Sequence, residues 1–70
     1  MIEGDKERLT TLLNYLFKHN EEHSKELIEL AEKAKTVANK VVRDDILEAA
    51  LLMDESNEYL KLALVELNKD

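Results

Sequence analysis

The sequence predicts an all-α fold, an antiparallel hairpin of two long helices. Three observations favour it: there is no proline, one glycine stands near the start, and apolar residues recur at alternating steps of three and four. Turn-rich β proteins need proline and several glycines, and this sequence has no proline and one glycine. No shift in composition marks a linker, so residues 1–70 are expected to form a single helical domain.

The first helix is predicted at about residues 6–38. It could begin at Gly4 and Asp5, or later behind a threonine cap at Thr10 or Thr11, with a kink near residues 12–20. Its apolar seam holds heptad spacing for more than four repeats, with two polar members in the middle. The apolar steps run through Leu9, Leu13, Leu16, Asn20, His23, Leu27, Leu30, Ala34, Val37, Val41.

The second helix is predicted at about residues 41–68, after a turn near Asn39. β-branched residues weaken the helical signal there, and Asn39 is suited to a left-handed cap. Asp44 and Asp45 suit the first helical turn that follows. This seam also contains one polar member: Ile46, Ala50, Met53, Asn57, Leu60, Leu64, Leu67.

A fold-back near Asn39 pairs residues whose numbers sum to about 78 or 79. Asn20 and His23 then face the segment that contains Ser56, Asn57 and Tyr59, so polar side chains meet at one level. This agreement favours a hairpin, and the alternative is a three-helix bundle broken at Asn20.

The apolar face of each helix is wider than a contact between two helices can cover. An exposed patch of that kind usually marks an interface, so we expect two hairpins to self-associate into an antiparallel four-helix bundle. The expected interface residues are Leu47, Leu51, Leu62, Val65, Ile28.

Composition narrows the classes of function. Ten basic residues against 16 acidic ones give a net charge of −6, which disfavours binding to nucleic acid. The absence of cysteine excludes disulfides and thiolate sites, and a single glycine excludes phosphate-cradling loops. With no apolar run long enough to span a membrane and no signal-peptide pattern, the expectation is a soluble, cytoplasmic, non-enzymatic protein without membrane association.

One polar cluster offers a functional hypothesis. On a helix, His19, Glu22, His23 and Glu26 share one face, and two histidines four residues apart can ligate a divalent metal. The candidate metal ligands are His19, His23, Glu22, Glu26, Glu58. The favoured alternative is a structural polar layer that sets helix register, formed by Asn20, His23, Ser56, Asn57.

These residues carry a resemblance to a small family of uncharacterised prokaryotic helical domains. The similar segments are Leu12-Leu13, Leu16-Phe17, the run His19-Asn20-Glu21-Glu22-His23, Glu26, Ile46 to Ala50, Met53 and Asn57. In that family a histidine-rich tail often precedes the domain, which implies handling of nickel, cobalt or zinc. This sequence lacks that tail, and it has Asn14 where the family tends to have proline.

The sequence therefore predicts a homodimeric interaction module that needs no cofactor. The first alternative is a protein that binds nickel, cobalt or zinc through His19 and His23. The second is an adaptor that offers an apolar groove on the second helix, around Leu47, Leu51 and Leu62, to a helix of another protein.

Overall fold

A computed structural model describes residues 3–69 and confirms the helical hairpin. Helix α1 spans Glu3–Val37 and helix α2 spans Lys40–Leu67; the described residues contain no strand. The two helices pack along their length in a rod with extents of 52 × 14 × 12 Å. Because α1 is continuous through Asn20, the three-helix alternative is wrong.

The start of α1 lies earlier than a threonine cap would place it. The hydroxyl of Thr10 donates to the carbonyl of Lys6 at 2.9 Å, and that of Thr11 donates to the carbonyl of Glu7 at 3.0 Å. A threonine that bonds back to the carbonyl four residues earlier lies inside a helix. Thr10 and Thr11 are therefore helix-interior residues, and the prediction of a cap at either position is wrong.

The turn falls where the sequence predicts it, but Asn39 plays a different part. Its backbone is extended, with φ −163° and ψ 177°, and its side-chain oxygen accepts a hydrogen bond from the Val42 amide at 3.0 Å. Asn39 is thus the N-cap of α2, and the predicted left-handed cap is wrong. Since α2 begins at Lys40, Asp44 and Asp45 lie beyond its first turn.

The core of the hairpin consists of small residues. Ala31, Ala34 and Ala50 are buried, as are the polar Ser24 and Asn57, and no large side chain among the described residues is fully buried. Small side chains let two helices approach closely. Larger apolar residues of the inward rows are half-buried in the contact: Leu13, Phe17, Leu27, Ile46, Met53, Leu60, Leu64, Leu67. Other leucines and valines remain exposed, so two helices alone leave part of the apolar surface of this chain uncovered.

The hairpin has two long faces of different character. Residues seven apart lie on one side of a helix, so each face is bordered by rows with heptad spacing. We call one the uncharged face, because its outer rows contain no Lys, Arg, Asp or Glu. These rows are Leu9, Leu16, His23, Leu30, Val37 on α1 and Val42, Ala49, Ser56, Ala63 on α2.

We call the opposite side the charged face. Its rows combine apolar and charged residues: Glu7, Asn14, Glu21, Ile28, Lys35 on α1, and Leu47, Asp54, Lys61 with Leu51, Glu58, Val65 on α2. A shallow groove on this side is lined by residues of both helices: Ile28, Leu47, Ala50, Leu51 and Asp54.

Candidate functional site

An asparagine pair joins the two helices near mid-length. The side-chain amide of Asn20 donates to the side-chain oxygen of Asn57 at 3.0 Å, and the Asn57 amide donates to the carbonyl of Phe17 at 3.0 Å. Asn57 is only 6% exposed, so these bonds satisfy a group that would be costly to bury alone. The numbers of this pair sum to 77, within two of the predicted register.

Ser24 is a buried polar residue that the sequence reasoning missed, and it is 5% exposed. Its place between Phe17 and Ala31, seven residues from each, could have revealed it as an inward position. Two residues predicted at the same level lie outside the contact: Ser56 is exposed, and Tyr59 is 74% exposed. Each sits one or two positions from Asn57, which turns it away from α1.

The two histidines form a close pair on α1. The Nε2 atoms of His19 and His23 lie 2.9 Å apart, and the rings meet edge to face with centroids 4.3 Å apart. Neither predicted partner of His23 across the interface, Ser56 or Asn57, is used: its contacts lie on its own helix, which corrects that expectation. His23 has no partner on α2 because it lies in the outer row of the uncharged face, beside the rows that form the α1–α2 contact.

Two neighbours orient this pair. Tyr15 stacks on His19 with centroids 5.6 Å apart and a ring angle of 14°. A carboxylate oxygen of Glu26 lies 3.7 Å from Nδ1 of His23, at ion-pair distance. The tautomers of the two rings decide which Nε2 atom donates to the other.

The carboxylates predicted as further metal ligands do not join the histidines. Between residues 3 and 69, no three His, Cys, Asp or Glu side chains form a group that could hold a metal ion. Glu58 belongs to the charged face, across the hairpin from His23, and Glu22 is exposed on α1. Glu26 faces the ring nitrogen of His23 that points away from His19. A complete site within one chain, as the sequence suggested, is therefore not assembled.

The residues predicted as an interface lie on or beside the charged face. Leu51, Leu62, Val65 and Ile28 are 45–62% exposed, and Leu47 is half-buried at the groove. Charged side chains alternate with them along α2, among them Asp54 and Glu58.

Comparison with known proteins places the chain in a family. A family model described as a domain of unknown function (DUF8180) matches residues 9–67, from the first leucine of the α1 seam to the last of the α2 seam. No curated protein and no solved structure matches the chain. Across residues 3–69, neither helix has a segment with the length and apolarity needed to cross a membrane. Since the match covers both helices and the turn between them, the chain belongs to the DUF8180 family.

Proposed function

We propose that this protein is a small, non-enzymatic self-association module in which two copies pack their uncharged faces together as an antiparallel four-helix bundle. One observation carries the proposal: the hairpin fully buries no large described side chain, while Leu9, Leu16 and Leu30 stay 41–52% exposed in a row without charged members. Half-buried leucines and buried alanines are a modest source of folding free energy, and burial against a second copy adds to it.

The uncharged face suits a second copy better than the charged face does. Covering the charged face would remove Asp54, Glu58 and Lys61 from water, and desolvating charged groups without good partners is unfavourable. Covering the rows of the uncharged face removes leucine, valine and alanine surface, and the nearest charges, on Glu26 and Lys33 beside Leu30, lie at its border. In this arrangement the predicted interface around Leu51 and Leu62 faces outward.

A second function, that of an adaptor, is favoured by the groove on the charged face. Ile28, Leu47 and Leu51 line an apolar depression with Asp54 at its edge. Such a groove accepts the apolar side chains of an amphipathic helix, and Asp54 complements a lysine or arginine beside them. Because the groove lies opposite the proposed dimer contact, a dimer would still offer it to a partner.

Light scattering after size-exclusion chromatography tests the main proposal. At micromolar concentration we expect a mass about twice the 8.1 kDa of the chain, and a melting temperature that rises with protein concentration. A monomer whose melting temperature is independent of concentration would contradict self-association.

A matched pair of variants then locates the contact. Ser56 and Thr11 are both exposed hydroxyl residues, but Ser56 lies in a row of the uncharged face and Thr11 does not. We expect Ser56→Glu to weaken the dimer by about tenfold or more, because it places a charge in an apolar contact. Thr11→Glu adds the same charge and should leave the dimer intact. Equal effects from both variants would argue against the uncharged face as the contact.

A further inference from the structure

The histidine pair has the geometry of half of a metal site. In a tetrahedral zinc site with Zn–N bonds of 2.0–2.1 Å, two imidazole nitrogens lie about 3.3 Å apart. The Nε2 atoms of His19 and His23 are 2.9 Å apart, so an opening of the pair by about 0.4 Å reaches the separation that an ion between them requires. Without an ion, the same two atoms share one hydrogen bond.

Glu26 supplies a second, independent feature of a metal site. Histidine ligands of metals commonly direct the ring nitrogen that does not bind the metal toward a carboxylate, which fixes the tautomer and raises ligand basicity. Glu26 stands 3.7 Å from Nδ1 of His23, on the side of the ring away from His19. It is therefore placed to orient His23 with Nε2 free for a metal.

One chain provides two ligands where a closed tetrahedral site needs four. No third ligand joins the pair from within residues 3–69. His23, however, is the middle member of its row, with Leu16 and Leu9 before it and Leu30 and Val37 after it at equal spacing. If two copies of α1 cross antiparallel about a two-fold axis at His23, Leu16 of each copy faces Leu30 of the other. The same axis brings the two histidine pairs together.

We propose that two copies of this chain bind one divalent metal ion, zinc or a similar first-row ion, through His19 and His23 of each copy. Imidazole is a ligand type that suits zinc, nickel and copper, and four neutral imidazoles satisfy tetrahedral zinc without carboxylates. This inference rests on the proposed self-association through the uncharged face, and it assigns the metal to the two-fold axis of that dimer. In each pair the Nε2 proton that forms the hydrogen bond moves to Nδ1 of the same ring through water, and the ion then replaces two hydrogen bonds between histidines with four bonds to nitrogen.

Titration of the metal-free protein with Zn²⁺, followed by calorimetry and by light scattering, tests the inference. We expect saturation at one zinc per two chains, and a dimer that is more stable with zinc than without it. Cobalt in place of zinc should give the visible absorption of a tetrahedral site. His19→Ala and His23→Ala should each abolish this binding, while far-UV circular dichroism stays unchanged because both side chains lie outside the alanine core.

A matched pair of glutamate variants tests whether Glu26 acts by orienting His23 or only by placing a negative charge near the histidines. Glu26→Gln should weaken zinc binding about tenfold to 100-fold, the usual effect of losing an outer-shell partner. Glu22→Gln removes the same charge one turn away and should leave zinc affinity within about twofold.

The outcomes separate this inference from the proposed function. A dimer that binds no zinc, or whose zinc binding survives both histidine substitutions, overturns the inference and leaves self-association standing. A chain that stays monomeric with and without zinc overturns both. A stoichiometry of one zinc per chain also contradicts a shared site.

Discussion

The two faces of this hairpin carry leucines of similar exposure and differ in what lies between them. Leu30 on the uncharged face is 52% exposed, and Leu51 on the charged face is 57% exposed. Leu30 has uncharged neighbours in its heptad row and lines a depression with Glu26 and Lys33, whereas Leu51 is followed by Glu58 in its own row and shares a groove with Asp54. The exposure of single apolar residues therefore does not distinguish the two faces; the charges within the rows that border the helix contact do.

The largest expected effect comes from placing a charge on each face in turn. Leu30→Glu should raise the dimer dissociation constant by about 100-fold, since two lost leucine contacts per dimer amount to about 3 kcal/mol. Leu51→Glu, a matched change at a position of similar exposure, should shift it less than about threefold because its face stays in water. Sedimentation equilibrium measures both. A larger effect from Leu51→Glu would indicate that the dimer contact is on the charged face, which includes Ile28 and Leu47.

A smaller effect is expected from the polar pair that aligns the two faces. Asn57→Ala removes two hydrogen bonds and should lower the free energy of unfolding by about 2 kcal/mol, measured by urea denaturation. Asn68→Ala is the control: that asparagine is exposed and bonds only to its own helix, at the carbonyl of Leu64, so a loss of a few tenths of a kcal/mol is expected.

A leucine at the same position tests whether the pair sets register. Asn57→Leu should retain most of the stability but give a mixture of assembled species, because a single polar residue in a helical seam fixes pairing at some expense of stability. A variant that remains one uniform dimer would show that the alanine contacts determine register without the asparagines.

The smallest effect is expected at the turn, which both faces share. Asn39→Ala removes the cap of α2 and should lower the free energy of unfolding by about 1 kcal/mol. Asn39→Asp keeps an acceptor for the Val42 amide and should cost less than half of that. Thermal unfolding of the two variants gives the comparison, and equal losses would mean that the side-chain bond contributes little.

Much of the fold could be predicted from local periodicity. The heptad seams place α1 and α2, the weak helical signal near Asn39 places the turn, and matching polar positions anticipate the contact of Asn20 with Asn57. Periodicity reports the side of a helix, so it predicts which residues are near one another in register. Periodicity does not give the rotation of one helix relative to its partner, because that rotation is a property of the three-dimensional packing.

The misses follow from that limit. Thr10 and Thr11 resemble caps in sequence, yet their hydroxyls bond within an earlier-starting helix. His23 belongs to the same seam as Asn20, but its rotation about α1 gives it His19 and Glu26 as neighbours in place of α2. The metal site that we propose is therefore shared by two chains, each of which supplies half of the ligands, whereas the sequence suggested a complete site within one chain.

The sequence by itself determined two helices, the turn between them and the level of the polar layer, because these depend on spacing along the chain. Only the tertiary structure decided that Ala31, Ala34 and Ala50 are the buried apolar residues of the contact and that the row of Leu9, Leu16 and Leu30 lies outside it. The physical reason is that small side chains permit the closest approach of two helices. Close approach fixes the rotation of each helix about its axis, and this rotation determines on which face each remaining row of residues lies.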